Sequence, residues 1–104
     1  MSDPPLHVEV SQLAAQQIRE AEAWWRLHRT KAPNAIREEL ERISDLLAAQ
    51  PHIGTLASNV TLAGVRRVYL ARVRYDIYYR VMERPKQLEI VALWHASRGT
   101  TPPI

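Results

Sequence analysis

The chain contains no cysteine, which excludes disulfides and thiolate chemistry. It also lacks a long apolar run. The longest is the five residues from Ile90 to Trp94, far short of the ~20 that cross a bilayer as a helix. Met1–Pro5 shows no basic stretch leading into an apolar one, so no secretory signal is expected and the cytoplasm is the expected compartment. There is no glycine-rich phosphate loop, no His-Glu-x-x-His pair and no nucleophile elbow, so the common nucleotide, zinc-protease and serine-hydrolase signatures are missing. His7, His28, His52 and His95 are scattered without metal-ligand spacing, and neither a metal nor a cofactor is expected.

What is present suits one small folded unit. With 104 residues, 46% of them hydrophobic and 24% charged, the chain has apolar material for a single core, read as one domain over 1–104. Charge is unevenly spread. Residues 1–63 hold six Lys/Arg against eight Asp/Glu, a net of −2, whereas residues 64–104 hold eight against three, a net of +5. All but one of those later cations are arginine, whose planar fork grips phosphate or carboxylate through two parallel hydrogen bonds. The C-terminal half therefore reads as built to meet an anionic partner, either nucleic acid or an acidic protein segment.

The hydrophobic spacing predicts the element order β-α-α-β-β-β. Leu6, Val8 and Val10 share one side of a short strand. Ser11 is a helix N-cap, and Ala14, Ile18, Ala21, Trp25 and His28 form a helical stripe up to about Arg29. Pro33 opens a second helix with the stripe Ile36, Leu40, Ile43 and Leu47, and Pro51 ends it. Arg37/Glu41 and Glu38/Arg42 fall at i,i+4 on its outside, and Glu38, Glu39, Glu41 and Asp45 read as a solvated face. Residues 50–63 read as a loop. Val65–Leu70, Val73–Met82 and Gln87–His95 read as three strands, with Glu83–Lys86 as a turn.

In this reading Val73, Tyr75, Ile77, Tyr79 and Val81 face the core, as do Leu88, Ile90, Ala92 and Trp94. Arg74, Asp76, Tyr78 and Arg80 face away. The fold class is α+β: a helical hairpin packed on one face of an antiparallel meander, with the arginines on the open face and residues 96–104 as an irregular polar tail. The residues singled out to contact a partner are Arg66, Arg67, Arg72, Arg74, Tyr78, Arg80, His95, Arg98 and Trp24. Tyr78 offers a ring beside arginines, and Trp24 lies off the stripe that Trp25 joins. His95, at a strand end, is the residue best placed for general acid or base work near neutral pH.

Three stretches together resemble the RelE/ParE superfamily, the toxin halves of bacterial type II toxin–antitoxin pairs. They are Gly64-Val65-Arg66-Arg67-Val68-Tyr69-Leu70, Arg74-Tyr75-Asp76-Ile77-Tyr78-Tyr79-Arg80-Val81 and Ile90-Val91-Ala92-Leu93-Trp94-His95-Ala96-Ser97-Arg98. The resemblance spans nearly the whole chain and implies one of two activities. RelE-like members cut ribosome-bound mRNA, and for that chemistry the matching residues here are His95, Arg98 and Arg74. ParE-like members are not nucleases and poison DNA gyrase. One RelE-like catalytic arginine falls at Asp76, where a carboxylate repels the scissile phosphate instead of stabilising its charge. The chain also has two lysines only, and no tyrosine follows Arg98.

The resemblance therefore favours a ParE-like gyrase inhibitor that is not an enzyme. A RelE-like endoribonuclease and a non-toxic antitoxin-binding module are the alternatives. It further implies a cognate acidic antitoxin as partner, with operator DNA reached only through that antitoxin and no membrane partner.

Overall fold

Ser11 sets the first turn of the chain: its hydroxyl accepts the Ala14 N–H at 3.1 Å, and its own N–H donates to the Ile90 carbonyl at 2.9 Å. That cap converts a strand into a helix within one residue. The computed structural model describes residues 3–104. The elements are β1 (Val8–Val10), α1 (Gln12–His28), α2 (Ala35–Ala49), β2 (Thr55–Leu56), β3 (Arg66–Leu70), β4 (Tyr75–Glu83) and β5 (Lys86–His95). They form an α+β fold with the expected β-α-α-β-β-β order, to which the short β2 is added inside the stretch read as a loop. The strands lie in the order β1-β5-β4-β3-β2. β1 joins β5 in parallel while the other pairs are antiparallel, so the sheet is mixed and the meander alone is antiparallel.

The helical hairpin covers one face. Ala14, Ala21, Ile36, Ile43 and Leu47 interlock there with Leu70, Val73, Ile77, Tyr79, Leu88, Ile90 and Leu93. Burial of these side chains is the main stabilising term, at ~1.5–3 kcal/mol for each large aliphatic.

Two features of the sheet differ from the sequence reading. β4 pairs Tyr78 with Ala92 but Tyr79 with Ile90, which leaves Val91 as a bulge in β5. One extra residue flips the side-chain parity beyond it. Leu88, Ile90 and Leu93 therefore face the helices, whereas Ala92 and Trp94 pack on the opposite side. That opposite side is also not open. Val65, Tyr78, Val91 and Ala92 form a second, smaller core, roofed by Ala57, Val60, Leu62, Trp94 and Ile104. Thr61 ties the roof together: its N–H and hydroxyl both donate to the Ile104 carbonyl, at 2.9 and 2.7 Å.

The charged outside of α2 does not form the expected i,i+4 pairs Arg37/Glu41 and Glu38/Arg42. Arg42 reaches back to Glu39 at i,i+3, at 3.1 Å, and Glu38 reaches across to Arg72 at 3.1 Å. Glu39 is 8% exposed, so it is a buried anchor and not part of a solvated face. His28, placed in the α1 stripe by its spacing, is exposed. Val73 and Arg74 lie in the turn before β4, where Arg74 has a φ of 62°.

Candidate functional site

Past Ile90, β5 has no strand on its β1 side, because the chain has already turned from β1 into α1. The vacated edge is met by a side chain: Gln17 Oε1 accepts the Leu93 N–H at 2.9 Å. α1 therefore runs beside the end of β5 and leaves a trough between the helix and the strand ends. Two adjoining cavities make up this trough. One of about 350 Å³ is lined by Glu20, Trp24, Tyr75, Leu93, Trp94 and Arg98, among others. The other, of about 700 Å³, is lined by Trp24, Trp25, Arg29, Arg74, His95 and Ser97, among others. Trp24 belongs to both and forms the divide.

The trough walls are aromatic and cationic. Trp24 is 43% exposed, stacks on the His28 ring at 4.5 Å with the planes 15° apart, and meets Trp25 edge-on at 6.0 Å. The Arg29 guanidinium lies 5.1 Å from the Trp24 ring centre and 5.8 Å from that of Trp25. Arg98 lies 4.3 Å above the Trp94 ring. Each cation is held by a π face, and a guanidinium held in that way keeps N–H groups for an incoming anion. Arg29, Arg74 and Arg98 have no carboxylate partner among the described residues. The buried Trp25 indole N–H has no acceptor among them either. Glu20 is the single carboxylate on the trough walls.

His95 sits between two neighbours. Its ring meets Tyr75 edge-on at 5.0 Å, and its Nδ1 is engaged by the Ser97 N–H at 3.2 Å and hydroxyl at 2.6 Å. The bulge at Val91 places His95 on the side of Leu93 and Tyr75, whereas unbroken alternation directed it away from the helices. Burial raises the Tyr75 phenol above its usual range, and the nearby Arg98 charge opposes that shift.

The arginines expected on one open face are divided among several tasks. Arg72, Arg74, His95, Arg98 and Trp24 come together around the trough, although Arg72 is already paired with Glu38 and Glu39. Arg66 donates to the backbone carbonyls of Gly54 at 2.7 Å and His52 at 3.3 Å. Arg80 is bound to Glu89 at 2.9 Å. Arg67 stands apart in a shallow pocket with Asp76, Thr55 and Ile53. Tyr78 is 2% exposed because the loop and tail cover it, and its hydroxyl accepts from Asn59 at 3.2 Å. It therefore offers no ring to a partner. The residues matched to a nuclease, His95, Arg98 and Arg74, all border the trough: Arg74 and His95 line its larger cavity and Arg98 the adjoining smaller one.

Sequence reading missed Arg29 as a site residue and assigned Trp25 wholly to the core. The signal was present, since Trp24/His28 and Trp25/Arg29 both fall at i,i+4 on one helix and must therefore meet. Asp76 is raised above the ordinary carboxylate range by burial, with the Arg67 charge opposing the shift.

Among the described residues no helix is long and apolar enough to cross a membrane. No curated protein matches the chain. Among solved structures, the chain is similar to one described as the chromosomal ParDE TA system from P. aeruginosa. The TM-score is 0.69 at 18% identity, with 88% of this chain and 97% of that chain covered, a likeness of fold. The family model described as ParE toxin of type II toxin-antitoxin system, parDE, matches residues 8–99. The chain therefore belongs to the ParE family of type II toxins.

Proposed function

We propose that this chain arrests growth by binding and poisoning DNA gyrase, without catalysing a reaction, and that a cognate antitoxin neutralises it. The observation that supports this most is the Trp24–Arg98 trough. It combines exposed aromatic surface with guanidiniums that have no internal carboxylate, the residue types that dominate binding energy at protein interfaces. An acidic, apolar-anchored segment suits it: carboxylates meet Arg29, Arg74 and Arg98, and an apolar side chain enters beside Trp24. An antitoxin segment of that chemistry, folding as it binds, would occupy the same surface and block the target.

Ribonuclease chemistry is less well served. In-line attack by a 2′-hydroxyl needs a base, an acid and cations around one phosphate. Here Asp76 replaces the matching arginine, and the His95 Nδ1 is already engaged by Ser97.

Induction of the chain in cells, followed by separate assays of growth and of ribosome-bound mRNA, tests the reading. Wild type is expected to arrest growth with messages intact. Arg74→Ala combined with Arg98→Ala is expected to relieve the arrest while the variant remains folded by circular dichroism. Codon-positioned cuts in ribosome-bound mRNA, lost on His95→Ala, would overturn the reading in favour of a nuclease.

A further inference from the structure

The chain turns tightly after β5: the Arg98 N–H donates to the His95 carbonyl at 3.1 Å, and the Ala96 N–H donates to the Arg74 carbonyl at 3.0 Å. This turn is thereby fastened to the one that carries Arg74. Ser97 sits in it and is exposed. The His95 Nδ1 receives the Ser97 N–H at 3.2 Å, so that nitrogen is the acceptor of the neutral ring, and the Ser97 hydroxyl, 2.6 Å away, donates to it as well. A serine hydroxyl whose proton is held by an imidazole is the usual form of an activated nucleophile. The surroundings are cationic. The cavity of about 700 Å³ that Ser97 lines carries Arg29, Arg72 and Arg74 and no carboxylate. Arg72 is committed to Glu38 and Glu39, whereas Arg29 and Arg74 have no carboxylate partner among the described residues. By contrast, the hydroxyls of Thr55 and Thr61 donate to backbone carbonyls, and that of Ser11 caps α1.

We propose that Ser97 is a phosphorylation site and that its phosphate switches the trough off. The donor is a nucleoside triphosphate held by a protein kinase, since this chain has no glycine-rich phosphate loop of its own. The bond from Ser97 Oγ to the γ-phosphorus forms as the bond from that phosphorus to its bridging oxygen breaks. The nucleoside diphosphate leaves with the electron pair, and the hydroxyl proton passes to His95 Nδ1. The product adds about −1.5 to −2 charges and three strong acceptor oxygens. Arg29 and Arg74 meet these oxygens through paired, charge-assisted hydrogen bonds. The inference rests on the reading of the trough as a binding surface and adds its regulation. Guanidiniums that hold this phosphate are lost to the carboxylates of a partner, and the phosphate repels those carboxylates.

Two measurements on the full-length chain test this. In the first, the chain is isolated from the cells that make it, growing and starved, and fragment masses locate any phosphate. Phosphate on Ser97 is expected, and a chain unmodified there in both conditions would overturn the site. In the second, phosphoserine is placed at position 97 through an expanded genetic code and titrated by phosphorus NMR. Its second protonation is expected below the ordinary value of about 6, and Arg29→Ala or Arg74→Ala, each checked for folding by circular dichroism, is expected to move it back up. The same form is expected to inhibit gyrase supercoiling roughly tenfold less than the unmodified chain. A phosphoserine that titrates like a free one, or a modified chain that inhibits as well as the unmodified one, would overturn the proposal. Should the unmodified chain leave supercoiling intact, the gyrase reading alone fails, because the fragment masses and the phosphorus titration read the phosphate site without reference to gyrase.

Discussion

Tyr79 is a buried phenol with both hydrogen-bonding roles filled: it donates to the Pro51 carbonyl at 2.8 Å and accepts the Gly54 N–H at 3.0 Å. It thereby fastens the end of α2 and the start of β2 to the middle of the sheet. The same contact explains the glycine. A Cβ at Gly54 would stand 2.7 Å from the Tyr79 hydroxyl and 3.1 Å from the Arg67 carbonyl. Gly54→Ala is expected to lower stability by about 1–3 kcal/mol through overpacking, read as a shifted urea midpoint. Tyr79→Phe is expected to cost about 1–3 kcal/mol because it leaves buried backbone groups unpaired.

Burial raises the Tyr79 phenol above its ordinary 10.0, with the Gly54 hydrogen bond and the Arg66 charge partly opposing. A raised folded value means that the contribution is complete below the unfolded value and is lost as pH rises through the folded one. Stability should therefore start to fall as pH rises above the ordinary value of 10.0, and Tyr79→Phe should flatten that loss. Asp76 obeys the same sign at lower pH. Its raised value disfavours the ionised form in the folded chain, so Asp76→Asn is expected to raise the urea midpoint at neutral pH.

Helix positions, the strand order of the meander and the core roles of Tyr75 and Tyr79 follow from periodicity, because each depends on spacing within one element. What depends on contacts between elements does not follow. The Val91 bulge reverses the facing of Ala92, Trp94 and His95, yet a run such as Leu88–Trp94 alternates equally well with or without it. Tyr78 lies on the side away from the helices, as its parity requires. The 57–62 loop and the tail, held by Trp94 Nε1 donating to the Thr100 carbonyl at 2.9 Å and by the Thr61–Ile104 bonds, turn that side into a core. Truncation after Gly99 is therefore expected to shift Trp94 fluorescence to the red and lower the urea midpoint.

The turn between β3 and β4 is similarly set from a distance, by Glu38 and Glu39 of α2 holding Arg72. Arg72→Ala should cost about 1 kcal/mol, with coupling to Glu39 visible in a double-mutant cycle. Of the site residues, Arg74, Arg98, His95 and Trp24 were legible as chemistry-bearing side chains. Arg66, Arg72 and Arg80 looked equally available in sequence, because their partners Gly54, Glu38 and Glu89 lie on other elements.

At the scale of the molecule, charge and apolar surface are divided by α1. One side presents aromatic rings with guanidiniums, and the other, between α1 and α2, an apolar floor with carboxylates. The sheet's second face, by contrast, is mostly consumed in holding the chain together, so the arginine content of residues 64–104 overstates the free positive surface.

A trough that grips a protein target and does not cleave RNA should act on gyrase directly. The most direct measurement is supercoiling of relaxed plasmid by purified DNA gyrase with added chain. A block that weakens when Arg74 and Arg98 are both replaced by alanine is the expected result. Unimpaired supercoiling at excess chain, under conditions where the same preparation arrests growth, would contradict it.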